Sequence, residues 1–328
     1  MLSPELEITW RTHTIICAHF CIIACLYLKK NSEAYRDSIT EAIEAQNLSN
    51  KRKKKFEALL GLQPYAGKLL ASDMEAKAEM GRQFISLVAS HHQQFPNQRF
   101  FGITMMSDEF RVSKKEPVLW LKRLVRKSDK TIRMLCDEHG LIGGIGIVEP
   151  VFVLNPPDKR QPEYPFHVHA LVWAEEDFDL KAAKHALREQ SHWTSSLGLD
   201  PIRIKELTED RCHPSWWAYY MSKSPVDAGN IVEQSNGSFK VRKTLEGYRP
   251  DAKLRLLEGL SQSYLQDFIF AVKDGKFIRD PLMRRTKEAR KLVHPDKKKV
   301  DVSKRSQWFR SLWKSSRAKH NKPWQTYD

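Results

Sequence analysis

Apolar residues recur every three to four positions through most of the first ninety residues. That is the rhythm of helices with one buried face. Thr14 to Leu28 is an apolar run of about fifteen residues followed by Lys29-Lys30. It is shorter than the roughly twenty residues that span a bilayer, so it predicts a buried helix rather than a membrane anchor. Cys17, Cys21 and Cys25 fall on one face of it as small core residues. Ser32 can cap an amphipathic stretch that runs to Gln46, and the charge run Lys51-Arg-Lys-Lys-Lys55 leads into another periodic segment.

From Arg99 the pattern changes. Arg99–Met106 reads as a strand, and Glu116–Met134 as a helix through Val118, Leu121, Leu124 and Val125, with Pro117 suited to a first turn. Ile142–Leu154 is rich in strand formers and ends at Asn155-Pro-Pro-Asp158. A strand containing Phe166-His-Val-His-Ala-Leu-Val-Trp173 follows, then a helix (Phe178–Gln190), a strand (Pro201–Leu207) and a helix (His213–Ser224) stopped by Pro225. Beyond it the chain reads as helical, with Leu254–Val272 as one helix, and then as increasingly basic.

The order β-α-β-β-α-β predicts an α+β protein with a ferredoxin-like antiparallel sheet, flanked by helical N- and C-terminal regions. In the usual strand order, 4-1-3-2, the third strand is central and the second lies on an edge, where Pro150 is tolerated. The chain accordingly divides into a helical region (1–96), a central domain (97–225) and a helical, then basic, C-terminal region (226–328).

Composition narrows the partners. Of 328 residues, 41% are hydrophobic and 29% charged, as in a soluble globular protein. The net charge of +15 favours a polyanion. Residues 281–328 hold 15 Lys/Arg against 4 Asp/Glu, or +11 of that total. Arg284, Arg285, Lys297, Lys298 and Lys299 there can meet a DNA backbone, with Trp308, Trp313 or Trp324 stacking on bases; the alternative is a disordered tail that only solubilises the chain. Five cysteines, an odd number without Cys-x-x-Cys pairs, fit a reducing cytoplasm. Neither Gly67-Lys68 nor Gly275-Lys276 sits in a phosphate-binding loop, which argues against a built-in ATPase or helicase.

The chemistry concentrates in two segments. On an extended strand His167 and His169 point to one face while Phe166, Val168, Ala170 and Val172 point to the other. Two neutral imidazoles can hold one divalent ion, and Mg²⁺ or Mn²⁺ also wants an oxygen ligand. Glu149, on the preceding strand, is the best donor. Downstream, Tyr219 and Tyr220 offer a nucleophile, and Lys223 falls on the same helical side as either. Adjacent residues sit about 100° apart on a helix, so the two tyrosines cannot both face one metal.

Three motifs, in order, resemble those of the His-hydrophobe-His (HUH) endonucleases, in particular the rolling-circle replication initiators of plasmids and phages. They are Phe101-Gly-Ile-Thr-Met105, His167-Val-His169 and Tyr220-Met-Ser-Lys223. The position of Glu149 also resembles that of the carboxylate that many of these proteins carry one strand before the histidines. The resemblance covers roughly 97–225. It implies a metal held by His167, His169 and Glu149, attack by Tyr220 to leave a 5′-phosphotyrosine and a free 3′-hydroxyl, and a positioning role for Lys223. It also implies single-stranded DNA at a replication origin as substrate, no ATP, and a host helicase and polymerase as partners. A single-tyrosine transposase shares this chemistry, and a DNA-binding protein with a degenerate site shares the residues alone.

Overall fold

The computed structural model describes residues 4–59, 69–113, 121–156, 162–208, 213–224, 228–235, 237–243 and 249–293. Three helices open the chain: α1 (Pro4–Ala45), α2 (Asn50–Leu59) and α3 (Met74–Gln94). Ser32 caps nothing, because the apolar run and the amphipathic stretch after it are one helix of 42 residues. No glycine or proline after Pro4 interrupts it. Among the described residues no helix is long and apolar enough to cross a membrane. Cys21 and Cys25 are half-buried against the apolar core, and the Cys17 side chain lies outside the described residues. Asp73 caps α3 by accepting a hydrogen bond from the Ala76 N–H at 2.9 Å.

The central region alternates strands and helices: β1 (Arg99–Ser113), α4 (Leu121–Glu138), β2 (Leu141–Pro150), the two-residue β3 (Phe152–Val153), β4 (Glu163–Ala174), α5 (Leu180–Arg188), β5 (Ile202–Leu207) and α6 (Pro214–Ser222). β4 runs antiparallel to β1 and β2, and β1 antiparallel to β5, so these four strands lie in the order β5-β1-β4-β2. β4 is central and all twelve of its residues are buried. The fold is mixed α+β. Glu116, Pro117 and Val118 lie outside the described residues, as do Pro157, Asp158 and Pro225.

Three further expectations are corrected. β2 is not an edge strand, because β8 (Ile269–Lys273) pairs with it over Gly143–Ile147. Pro150 lies beyond the last of those pairs, so its missing N–H interrupts no ladder on that side. Leu254–Val272 is not one helix. It divides into α7 (Pro250–Leu260), a 3-10 turn (Leu265–Phe268) and β8. Ile269-Phe-Ala-Val272 is a continuously buried run of strand formers, too short for periodicity to separate from a helix. Finally, the segment after Pro225 forms the antiparallel pair β6 (Ala228–Glu233) and β7 (Phe239–Lys243), which joins the sheet through β3 before α7, β8 and α8 (Lys276–Val293).

Helices cover both faces of the sheet. Phe166, Val168, Ala170 and Val172 of β4 pack with α4, α5 and α7. Leu171 and Trp173, on the opposite face, pack with α1, α3, α6 and α8. Each large apolar side chain so buried contributes about 1.5–3 kcal/mol, so the period-two pattern of β4 decides which face each histidine takes.

Candidate metal centre and its tyrosine

The strand register assembles the site. Glu149 of β2 stands opposite His167 of β4, and Thr104 of β1 stands opposite His169. Side chains paired across strands share a face, so Glu149, His167, His169 and Thr104 converge on the face that carries α6. The Nε2 atoms of His167 and His169 are 2.8 Å apart. Glu149 Oε2 lies 3.3 Å from the second and 3.8 Å from the first. All three residues are buried. Among the described residues they are the one group that could hold a metal ion.

These atoms fit a divalent cation. Two donors at about 2.1 Å from one ion are separated by roughly 3.0 Å at right angles and 3.4 Å at the tetrahedral angle, close to the spacings observed here. Burial drives both imidazoles toward the neutral, ligating form: His167 falls to about 3, with the His169 charge adding to the shift, and His169 also falls. For Glu149 burial acts upward, but the Lys223 ammonium and the two histidines hold the carboxyl well below the usual carboxylate range. Glu149 Oε1 accepts from Lys223 Nζ at 2.7 Å, whereas Oε2 has no well-aligned hydrogen bond. Thr104 Oγ1 lies 2.9 Å from His169 Nδ1, fixing the ring so that Nε2 faces the centre.

α6 brings the tyrosine. Its start is set by His213, whose side chain accepts from the Ser215 N–H at 3.1 Å, and by Pro214 in the first turn. Trp217 seats the helix on the sheet. Its Nε1 donates to the Ala170 carbonyl at 3.0 Å, and its ring lies so close over Gly102 that a Cβ there would stand 2.6 Å from it. Only glycine permits that approach. Tyr220, stacked on Trp217, sets its ring 4.8 Å from that of His169, with Lys223 Nζ 4.6 Å from the tyrosine ring centre.

Tyr220 is 39% exposed. Burial and then the Glu149 charge push it above its ordinary value, with Lys223 opposing. Tyr219 turns toward α1 instead, stacked on Trp216 at 4.9 Å and near Tyr27 at 6.3 Å. Of the two tyrosines, Tyr220 borders the triad.

The sequence pattern alone does not point to Lys77 of α3, whose electrostatic neighbours are Glu149 and Lys223. Burial lowers its ammonium to about 8, with the Glu149 charge opposing the shift and the Lys223 charge adding to it. The signal was a lysine one turn into a helix whose stripe Met74, Gly81, Phe84 and Val88 is otherwise apolar and buried. Arg284 and Arg285 are exposed on α8. Lys297, Lys298, Lys299, Trp308, Trp313 and Trp324 lie outside the described residues. Comparison of the chain with protein-family models, with curated proteins and with solved structures finds no match.

Proposed function

We propose that the chain is a metal-dependent, single-tyrosine DNA nickase of the HUH type, acting as a rolling-circle replication initiator in the cytoplasm. The observation that carries this reading is the Tyr220 ring 4.8 Å from His169, at the edge of a buried Glu/His/His cluster. The strand order β5-β1-β4-β2, with α4 and α5 on one face, supports it as the ferredoxin-like arrangement.

Glu149, His167 and His169 would hold a divalent ion such as Mg²⁺ or Mn²⁺, which would supply Lewis-acid polarisation of the scissile phosphate. The protein's own groups do the rest. Thr104 fixes the His169 ring, and Trp217 on Gly102 fixes the azimuth of α6. The Tyr220 oxygen attacks phosphorus in line as the phenol gives up its proton to water. The bond from phosphorus to the 3′ oxygen breaks, and that oxygen takes up a proton to become a free 3′-hydroxyl. Lys223 stands beside both Glu149 and Tyr220, where its charge steadies the developing anion. The phosphotyrosine conserves the energy of the broken bond, so rejoining needs no ATP. A helicase and a polymerase act in trans on the opened origin.

The test is incubation with single-stranded oligonucleotides carrying the origin, plus Mn²⁺, read as a covalent adduct on a denaturing gel. The adduct is expected to form, to vanish in Tyr220→Phe and to persist in Tyr219→Phe. Loss in Tyr219→Phe alone moves the nucleophile by one residue. No adduct with cognate DNA refutes the enzyme and leaves a DNA-binding protein.

A further inference from the structure

The N-terminal helices bring a cation to this site for which the nickase chemistry above has no role. On α3, Met74 Sδ lies 3.8 Å from Ser224 Oγ, and a Cβ on Gly81 would stand 3.0 Å from Ser222 Oγ. Lys77 falls between them on the same side of the helix, so it faces the segment that carries Lys223. Its electrostatic neighbours are Glu149 and Lys223. Among the described residues the Lys77 side chain has no hydrogen-bond or ion-pair partner, and the residue is half-buried. Keeping an unpaired ammonium so far out of water is costly and calls for an anion.

The charge count identifies the anion. Glu149 is already bound by Lys223 at 2.7 Å. One carboxylate therefore faces two ammonium groups, and a divalent ion at the triad would add to this positive excess. A phosphodiester carries one negative charge and non-bridging oxygens that accept from lysine. We propose that Lys77 is a phosphate-binding residue that holds the DNA backbone at the triad, so that α3 forms one wall of the site. In the nickase this is the scissile phosphate or its neighbour, an assignment that rests on the reading above. The contact itself does not require cleavage.

The test is equilibrium binding of 5′-fluorescein-labelled dT30 in EDTA, by fluorescence anisotropy across a salt series. Lys77→Met is expected to weaken binding about five- to tenfold and to lower the slope of log K against log salt by about 0.7, the value for one single-strand phosphate contact. Lys77→Arg retains both. A purely structural lysine would alter thermal stability and leave that slope unchanged. In the unmutated protein, dT30 should protect Lys77 from reductive methylation read by mass spectrometry, a result that does not depend on how any variant folds. An unchanged slope together with an unprotected Lys77, or no binding of dT30 by the wild type, overturns the proposal. A reduced slope in a protein that forms no Mn²⁺-dependent adduct keeps the phosphate contact and rejects the nickase.

Discussion

Gly102→Ala tests how the nucleophile is held. The added Cβ would lie 2.6, 2.7 and 3.0 Å from three atoms of the Trp217 ring. Ordinary carbon–carbon contact is about 3.5–4.0 Å, so the ring must retreat by about 1 Å. Trp217 cannot do so alone, because its Nε1 is bound to the Ala170 carbonyl and Lys205 Nζ lies 4.9 Å from its ring. Tyr220 is stacked on it and shares its helix, so the phenol is carried away from His169. Overpacking of this kind costs about 1–3 kcal/mol of stability. A displacement of about 1 Å at a reacting group can cost roughly a hundredfold in rate. The triad is held by β2 and β4, and its ligands should stay in place. Single-turnover adduct formation at saturating Mn²⁺ is therefore expected to slow about a hundredfold, with Mn²⁺ affinity by calorimetry unchanged and a lower melting temperature. An adduct rate within about threefold of wild type, in a protein destabilised as expected, would show that the Trp217 seat does not place the nucleophile.

Thr104→Val removes the partner of His169 Nδ1 while keeping the branched shape that suits a strand; Mn²⁺ affinity should fall about 10–100-fold by calorimetry, and an unaltered Kd rejects the orienting role. Stability without metal should fall with acid. His167 is held near 3 in the fold against about 6.5 in the unfolded chain, so below pH 6.5 the unfolded chain binds the extra proton and stability drops by roughly 1.4 kcal/mol per pH unit. His169 shifts in the same direction, while the Glu149 contribution is present above its ordinary value and is lost below it. Urea unfolding in EDTA at pH 7 and pH 5 should differ by at least about 2 kcal/mol, and a His167→Gln protein showing the same difference would contradict this origin. Arg290→Met should cost about 3 kcal/mol in urea unfolding, because buried Arg290 binds Asp73 at 3.0 Å and Glu75 at 2.6 Å, tying α8 to the start of α3; a loss under about 1 kcal/mol would mean the network is dispensable.

What the sequence made legible follows from the range of the interactions involved. The faces of β4 were readable because alternation is a local property with a large energetic consequence. Glu149 followed from it, since an antiparallel neighbour of a buried strand has few registers available. The choice between Tyr219 and Tyr220 was not readable. It depends on the rotation of α6 about its axis, which is set by the contact of Trp217 with Gly102, far away in sequence. Gly102 and Thr104 both stand in Phe101-Gly-Ile-Thr-Met105, yet nothing local distinguishes a glycine under an indole from one in a loose strand. β8 escaped because four apolar residues fit a helix or a strand equally, and its pairing partner β2 lies over a hundred residues earlier. Lys77 escaped for a similar reason: its meaning comes from Glu149 and Lys223, which α3 meets only in the folded chain.

Gly102 and Thr104 also separate two supports that a single activity assay would merge. Both lie on β1, two residues apart and on one face, but each holds a different part of the site. Thr104 steadies an imidazole on β4, a strand hydrogen-bonded on both sides by β1 and β2, so the ligand atoms are fixed by the sheet itself. Gly102 admits the indole that seats α6, and Tyr220 is fixed to the triad only through that helix. If the supports are independent, Thr104→Val should act on Mn²⁺ affinity and Gly102→Ala on the rate at saturating Mn²⁺. The double variant should then show the sum of the two free-energy changes within about 0.5 kcal/mol. A larger coupling would mean that His169, the residue touching both Thr104 and Tyr220, transmits strain between them. In that case the metal centre and the nucleophile form one mechanical unit, and displacing α6 should weaken Mn²⁺ binding as well.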